Sequence, residues 1–276
     1  MKTPLLITFS LLFASLISPV QAQSADAPVL TAQDTTRSSE PTNLGSPEAR
    51  LQAAESCYTN ADFETAASLY EGLLAENGPD FNLYYNLGNT YYRSKDLAKA
   101  ILNFERALRL NPSDRDTRFN LELCQARTID KIEPLGEFLI SRWFRNLGNL
   151  MNSNGWAVTG LLCFVLLIAS LTAYFFSRHS WLKKTGFYVG VVSLILCILA
   201  LYYTTKTYQA AAYPDQAIIM APTVTVKSSP DQSGTDLFSL HEGTKVTITN
   251  EIGSWNEIEL QDGNVGWVPA SSMEVI

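Results

Sequence analysis

The rhythm of polar and apolar residues changes repeatedly along this chain, and each rhythm predicts a different kind of structure. After Lys2 an apolar run extends from Leu5 to Ile17 and closes on Pro19-Val-Gln-Ala22. A basic start, a short apolar run and small residues at the end predict a secretory signal peptide over 1–22. Residues 23–46 hold Ser, Thr, Ala, Asp and Pro with few apolar anchors, the composition of a flexible linker. From 47 to 130 the apolar positions recur at helical spacing. Segment 131–154 continues that spacing with Phe138, Leu139, Trp143, Phe144, Leu147, Leu150 and Met151, and carries Arg142 and Arg145 among them. An amphipathic helix with Trp and Arg just before an apolar span fits the membrane interface, and packing on the preceding helices is the alternative. Stretches 155–176 and 185–205 carry no charge and have no polar face. Each is long enough as a helix to cross the ~30 Å core of a bilayer, so two transmembrane helices are expected, joined by loop 177–184. A linker, 206–216, then leads to a region, 217–276, of short alternating runs such as Val224/Val226, Val246/Ile248 and Ile258/Leu260. That period predicts β-strands.

The helical region has an internal repeat. Tyr84-x2-Leu87-Gly88-x2-Tyr91 is followed by Ala100-x3-Phe104-x2-Ala107 and Pro112. This is similar to the tetratricopeptide (TPR) pattern at every signature position but the first, where Tyr84 replaces Trp. The spacing has a physical reason. Gly88 and Ala100 are small where two helices approach closely, Leu87, Tyr91 and Phe104 fill the space between them, and Pro112 stops the second helix. A weaker copy lies earlier, with Ala54, Ala66 and Tyr70 in the places of Gly88, Ala100 and Phe104. Residues 115–127 repeat only the first helix, which predicts a cap on the last repeat. The region 47–130 is therefore expected to hold two repeats and a capping helix.

Loop 177–184 holds Arg178, Lys183 and Lys184 and no acid, which assigns it to the cytoplasm by the positive-inside rule. A signal peptide exports the TPR region. Together they predict a two-pass protein of a bacterial inner membrane with both flanking modules in the periplasm. In region 217–276, Leu240-x2-Gly243-x2-Val246, Trp255-x2-Ile258 and Gly263-x2-Gly266-Trp267-Val268-Pro269 resemble bacterial SH3-like (SH3b) domains. The aromatic-rich opening of peptide-binding SH3 domains is missing, and Ser272 stands where a Tyr would line a polyproline groove, so Trp255 is the single surface aromatic singled out there. The expected fold class is a multidomain membrane protein: an all-α TPR superhelix, a two-helix transmembrane hairpin and a small all-β SH3-like barrel.

This order of parts resembles the BatE proteins of the Bacteroides aerotolerance operon. The resemblance implies a non-enzymatic inner-membrane protein whose partners are membrane proteins with von Willebrand A domains and a MoxR-type ATPase. Binding or sensing of peptidoglycan through the SH3-like domain is the other reading.

Charge narrows the partners. The chain carries a net −7 at pH 7, and from Asp215 onward nine acids face two lysines, so the tail module holds that whole excess. Such a surface does not attract nucleic acid, whose binding needs Lys and Arg to displace counterions. An acidic module also gains no long-range attraction to an anionic wall, which favours the adaptor reading. Two histidines, His179 and His241, are predicted to lie on opposite sides of the membrane, and His241 reads as a solvated loop residue beside Glu242. No phosphate-binding loop, dinucleotide glycine pattern or HExxH motif occurs in the sequence, so no catalytic residue, metal ligand or cofactor is expected. A Cys57–Cys124 disulfide is open to an oxidising compartment, although the repeat pattern puts a whole helical repeat between the two. The candidate binding residues are those that face the concave groove of a TPR: Asn82, Tyr85, Asn89 and Tyr92, with Arg93 beside them. Packing of Tyr85 or Tyr92 on the cap through Phe119 is the competing role.

Overall fold

The computed structural model describes residues 45–132, 136, 139–212 and 215–276, with the side chains of Leu139 and Ala210–Ala212 left aside. The expected signal peptide, nearly all of the first linker, and Phe138 lie outside the described residues.

Five helices come first: α1 (Pro47–Thr59), α2 (Phe63–Asn77), α3 (Phe81–Ser94), α4 (Leu97–Leu110) and α5 (Arg115–Gln125). An acidic side chain starts four of them. Asp62, Asp80, Asp96 and Asp114 accept from the main-chain N–H groups of Thr65, Leu83, Lys99 and Thr117, satisfying donors that a helix start leaves open. The repeat pattern explains the packing. Gly88 lies against Phe104 so closely that a methyl group there would come within 2.7 Å of the ring. Ala54, Ala66, Tyr70, Ala100 and Phe104 are all buried in one core. Cys57 and Cys124 are free thiols, and burial pushes that of Cys124 up to about 11.

Next come α6 (Leu139–Gly148), α7 (Ser153–Phe176) and α8 (Ser180–Ala212). The last two form an antiparallel hairpin, and only 11% and 22% of their most apolar windows are buried within the protein. Helices so apolar and so little covered are long enough to be candidate membrane spans, unlike the buried core helices of a soluble domain. The helices run on beyond the two expected spans. The connection between the spans is only Ser177–His179, because Ser180–Lys184 lacks Gly or Pro and winds into α8 from a Lys183 N–H bond to the His179 carbonyl (3.2 Å). Helix α8 also continues to Ala212 through most of the expected linker 206–216, since Lys206-Thr-Tyr-Gln-Ala-Ala-Ala is rich in helix formers.

Small residues join the spans. On α8, Gly186, Gly190, Ser193 and Ala200 are buried at heptad spacing, opposite Ser170 and Gly160 of α7. Ser193 Oγ donates to the Cys163 carbonyl (2.8 Å), and Gly160 meets the Ala200 methyl. Such a seam lets backbones approach where lipid offers no hydrophobic drive, and its spacing matches a left-handed crossing. Helix α6 packs at the base of the hairpin. Tyr203 Oη donates to the Phe144 carbonyl (2.8 Å), Trp156 Nε1 donates to that of Gly148 (3.1 Å), and the Trp156 and Tyr203 rings stack at 4.8 Å. Ile140 and Trp143 remain 72% and 61% exposed on the apolar face of this helix.

Seven strands follow among the described residues: β1 (Gln216–Ile219), β2 (Thr223–Lys227), β3 (Asp236–His241), β4 (Lys245–Ile252), β5 (Trp255–Glu259), β6 (Val265–Pro269) and β7 (Met273–Val275). They make one antiparallel SH3-like sheet in the order β3-β2-β6-β5-β4-β1-β7. Ala217, Ile219, Val226, Val246, Ile258 and Val268 form its core. Gly253 (φ +63°) and Ser254 make a two-residue turn between Ile252 and Trp255, a conformation that favours glycine at the first position.

Candidate interaction site

The expected groove residues all come from α3. A helix of period 3.6 puts Asn82, Tyr85, Asn89 and Tyr92 on one face, and Arg93 beside it. The cap, α5, closes on that face. Asn120 Nδ2 donates to Asn89 Oδ1 at 3.0 Å and lies 3.5 Å from Tyr85 Oη. Arg127, just beyond α5, sits 4.9 Å from the centre of the Tyr92 ring, and Arg93 sits 5.4 Å from that of Phe63. The Tyr85 ring stacks on Phe81 at 6.3 Å and leans on the core through Phe104 at 6.2 Å. Asn82 and Arg93 are exposed; Tyr85, Asn89 and Tyr92 are half-buried. Tyr85 and Asn89 thus share one cap residue, Tyr92 meets its own arginine, and Asn82 and Arg93 stand at the two ends of the stripe. Phe119, the contact through which Tyr85 or Tyr92 would pack on the cap in the competing role, is 60% exposed. The stripe offers two aromatic faces, two amides and a guanidinium, groups that recognise a peptide main chain and its acidic or aromatic side chains.

A second interface was not expected at all: the sheet docks on α4. Strand β1 is apolar on both faces, with Ala217 and Ile219 in the core of the sheet and Ile218 in that of the helices, together with Ile276. Besides a bond from Arg109 to the main-chain oxygen of Ile276, three polar ties lie around this contact. Lys245 Nζ donates to Glu105 Oε2 (2.8 Å), and Arg106 donates to Glu274 (3.0 Å) and to the Val275 carbonyl (2.6 Å). The third tie corrects the reading of His241 as a solvated loop residue. His241 ends β3, and its Nδ1 lies 2.8 Å from Asp130 Oδ1. Asp130 Oδ2 accepts from the His241 N–H and from Thr244 Oγ1, both at 2.7 Å. Burial acts to raise the Asp130 pKa, but these bonds from His241 and Thr244 outweigh it and hold the carboxyl below its ordinary value. Gly243 completes the contact. Its φ is +82°, and a methyl group there would come within 2.9 Å of Ile101 and 3.0 Å of Thr128.

A continuous apolar run, Ala217–Met220, was the sequence sign of a strand covered on both sides. Nothing local marked Asp130, which acts on groups 111 and 114 positions away. Trp255 opens β5 half-buried, opposite Pro269 of β6, so part of its ring is available at the surface.

Comparison with known proteins agrees with two of these parts. Residues 81–114, α3 and α4 with their turns, match the family described as Tetratricopeptide repeat. Residues 222–274, nearly the whole sheet, match the Bacterial SH3 domain. A comparison with curated proteins finds no match. Both matched modules are typically binding rather than catalytic units, and the chain joins them through a hairpin of two candidate membrane spans.

Proposed function

We propose that this protein is an adaptor of a bacterial inner membrane that presents a TPR groove and an SH3-like sheet together on the periplasmic side and assembles a membrane complex through them. The observation that carries this reading is the docking of the sheet on α4. It uses Ile101, Glu105 and Arg106, while the groove residues sit on α3, so Asn82 and Arg93 stay exposed when the modules are joined. The start of α7 and the end of α8 also meet, with Ser153 Oγ 3.4 Å from the Thr204 carbonyl, so both modules leave the hairpin from the same end. The basic residues Arg178, Lys183 and Lys184 lie at the opposite end, which supports a cytoplasmic tip. Asn82, Tyr85, Asn89, Tyr92 and Arg93 are the residues that hold the partner, and Trp255 is the contact point of the sheet. By resemblance to the BatE proteins, the partners are membrane proteins with von Willebrand A domains, and a MoxR-type ATPase is reached through them.

Photo-crosslinking from position 82 in native membranes tests this reading. Adducts are expected with the wild-type groove and are expected to disappear in Tyr85→Ala/Asn89→Ala with helicity unchanged. An identical adduct profile in that folded variant contradicts the groove. Sedimentation of the detergent-solubilised chain with purified wall sacculi tests the peptidoglycan reading. Retention that Trp255→Ala abolishes would favour wall binding over the adaptor.

A further inference from the structure

Helix α6 sorts its residues by face. Ile140, Trp143, Phe144 and Leu147 follow the i, i+3, i+4, i+7 spacing and share one side, while Ser141, Arg142, Arg145 and Asn146 share the other. The apolar side is open. Phe144 is 44% exposed beside the more exposed Ile140 and Trp143, and the Trp143 and Phe144 rings meet edge to face at 5.2 Å. One exposed apolar side chain is ordinary on a protein surface, whereas a continuous stripe of this kind marks a contact.

Three observations identify what covers the stripe. Arg145, on the polar side, lines a cavity of about 500 Å³ where α4, α5, the end of α8 and the sheet converge, so the apolar side turns away from both modules. The last turn of α6 is fixed to the end of the hairpin. Phe144 bonds Tyr203 through its carbonyl, and Gly148, one turn later, lies so close that a methyl group there would come within 2.8 Å of the Tyr203 ring. Tyr203 stands three residues, about 4.5 Å of helix, before Lys206, the first charge after the uncharged stretch 185–205. The stripe therefore sits where the apolar surface of the hairpin ends, and the exposed Leu150 and Met151 carry that surface across from α6 to α7. We propose that the apolar side of α6 is seated in the lipid interface, at the end of the hairpin opposite Arg178, Lys183 and Lys184, with the bilayer itself as its partner. Trp143 and Phe144 enter the upper acyl region and Arg142 stays in the headgroup layer. Apolar area supplies the attraction, so an uncharged lipid surface suffices. Through Tyr203 and Trp156, this third membrane contact sets the height and tilt of the docked modules. The proposal rests on the reading of α7 and α8 as membrane spans and is independent of the groove.

The test uses the full chain in phosphatidylcholine vesicles, with the four native cysteines replaced by alanine and a nitroxide label on one introduced cysteine at a time. Collisions of the label with oxygen, which concentrates in lipid, are compared with collisions with a nickel chelate, which stays in water. Labels in Ile140→Cys and Trp143→Cys are expected to favour oxygen, less strongly than one in Val165→Cys at the middle of α7. Labels in Arg142→Cys, on the polar side of α6, and in Phe119→Cys, on the TPR cap, are expected to favour the chelate. Positions 140 and 143 are read independently, and Ile140→Cys keeps Trp143, so a loss of fold in one variant leaves the other to decide. A preference for the chelate at 140 and 143, with oxygen still favoured at 165, would overturn the proposal and leave the spans standing. A preference for the chelate at 165 as well would overturn the spans and the proposal together. Shielding of 140 and 143 from both reagents would show that protein, a partner segment or a second copy, covers the stripe, and would overturn it too.

Discussion

Asp130 is a single carboxylate that fastens two modules. Its oxygens take hydrogen bonds from the His241 N–H and Thr244 and face the His241 ring, and its side chain is only 14% exposed. Asp130→Asn keeps the shape but loses the charge and one of its accepting oxygens. It is expected to cost about 2 kcal/mol, measured by chemical unfolding of the full chain in detergent. The pH dependence follows from the lowered pKa. A carboxyl held lower in the folded state contributes stability that is complete above its unfolded value of about 3.9 and is lost as pH falls through the folded value. Protection at the end of β3, the ratio of intrinsic to observed hydrogen-exchange rate, is therefore expected to fall on acidification in the wild type, and to lose most of that dependence in Asp130→Asn. Gly243 carries the same interface by its backbone. Gly243→Ala imposes both a left-handed conformation and a clash with Ile101 and Thr128, at an expected cost of about 1–3 kcal/mol.

At the scale of elements, sequence and structure agree most where contacts are local. The spacing of Leu87, Gly88, Tyr91, Ala100 and Phe104 revealed a helix pair because one turn separates its members, and all of them are buried as that packing requires. The polar stripe of α3 was legible for the same reason. Its closure by Asn120 and Arg127 was not, because it depends on the angle at which α5 crosses α3. The hairpin was legible from length and lack of charge, yet its seam was overlooked. Gly186, Gly190, Ser193 and Ala200 stand at alternating steps of four, three and seven residues, a pattern that composition conceals and a heptad count exposes. The seam makes a prediction of its own. Gly190→Leu places a branched side chain where even a methyl group would lie 3.0 Å from Ser170 Oγ. It is expected to separate the spans and lower the unfolding midpoint in nanodiscs, whereas Val191→Leu, on the exposed face, is expected to leave it unchanged.

For the whole molecule, the sequence disclosed the modules and withheld their arrangement. Two modules joined only through linkers and a hairpin could swing independently. The docked sheet, the apolar contact of Ile218 and Ile276 with the helical core, and the continuation of α8 to Ala212 make them a single body instead. These contacts join segments more than a hundred residues apart, with acids on the sheet meeting bases on α4 and the reverse: Arg106 with Glu274, Lys245 with Glu105. The net charge of the sheet, nine acids against two lysines, conceals this reciprocity. On the adaptor function proposed above, this fixed arrangement would lower the entropy lost when a partner binds the groove. The most direct measurement is a cysteine crosslink in intact membranes. With the four native cysteines replaced by alanine, Arg106→Cys/Glu274→Cys should be joined within one chain by a short bifunctional maleimide, which spans the reach of the two side chains that meet there at 3.0 Å, and shift in electrophoretic mobility. Failure to crosslink, with each cysteine singly reactive to a maleimide in a folded chain, would contradict the docked arrangement.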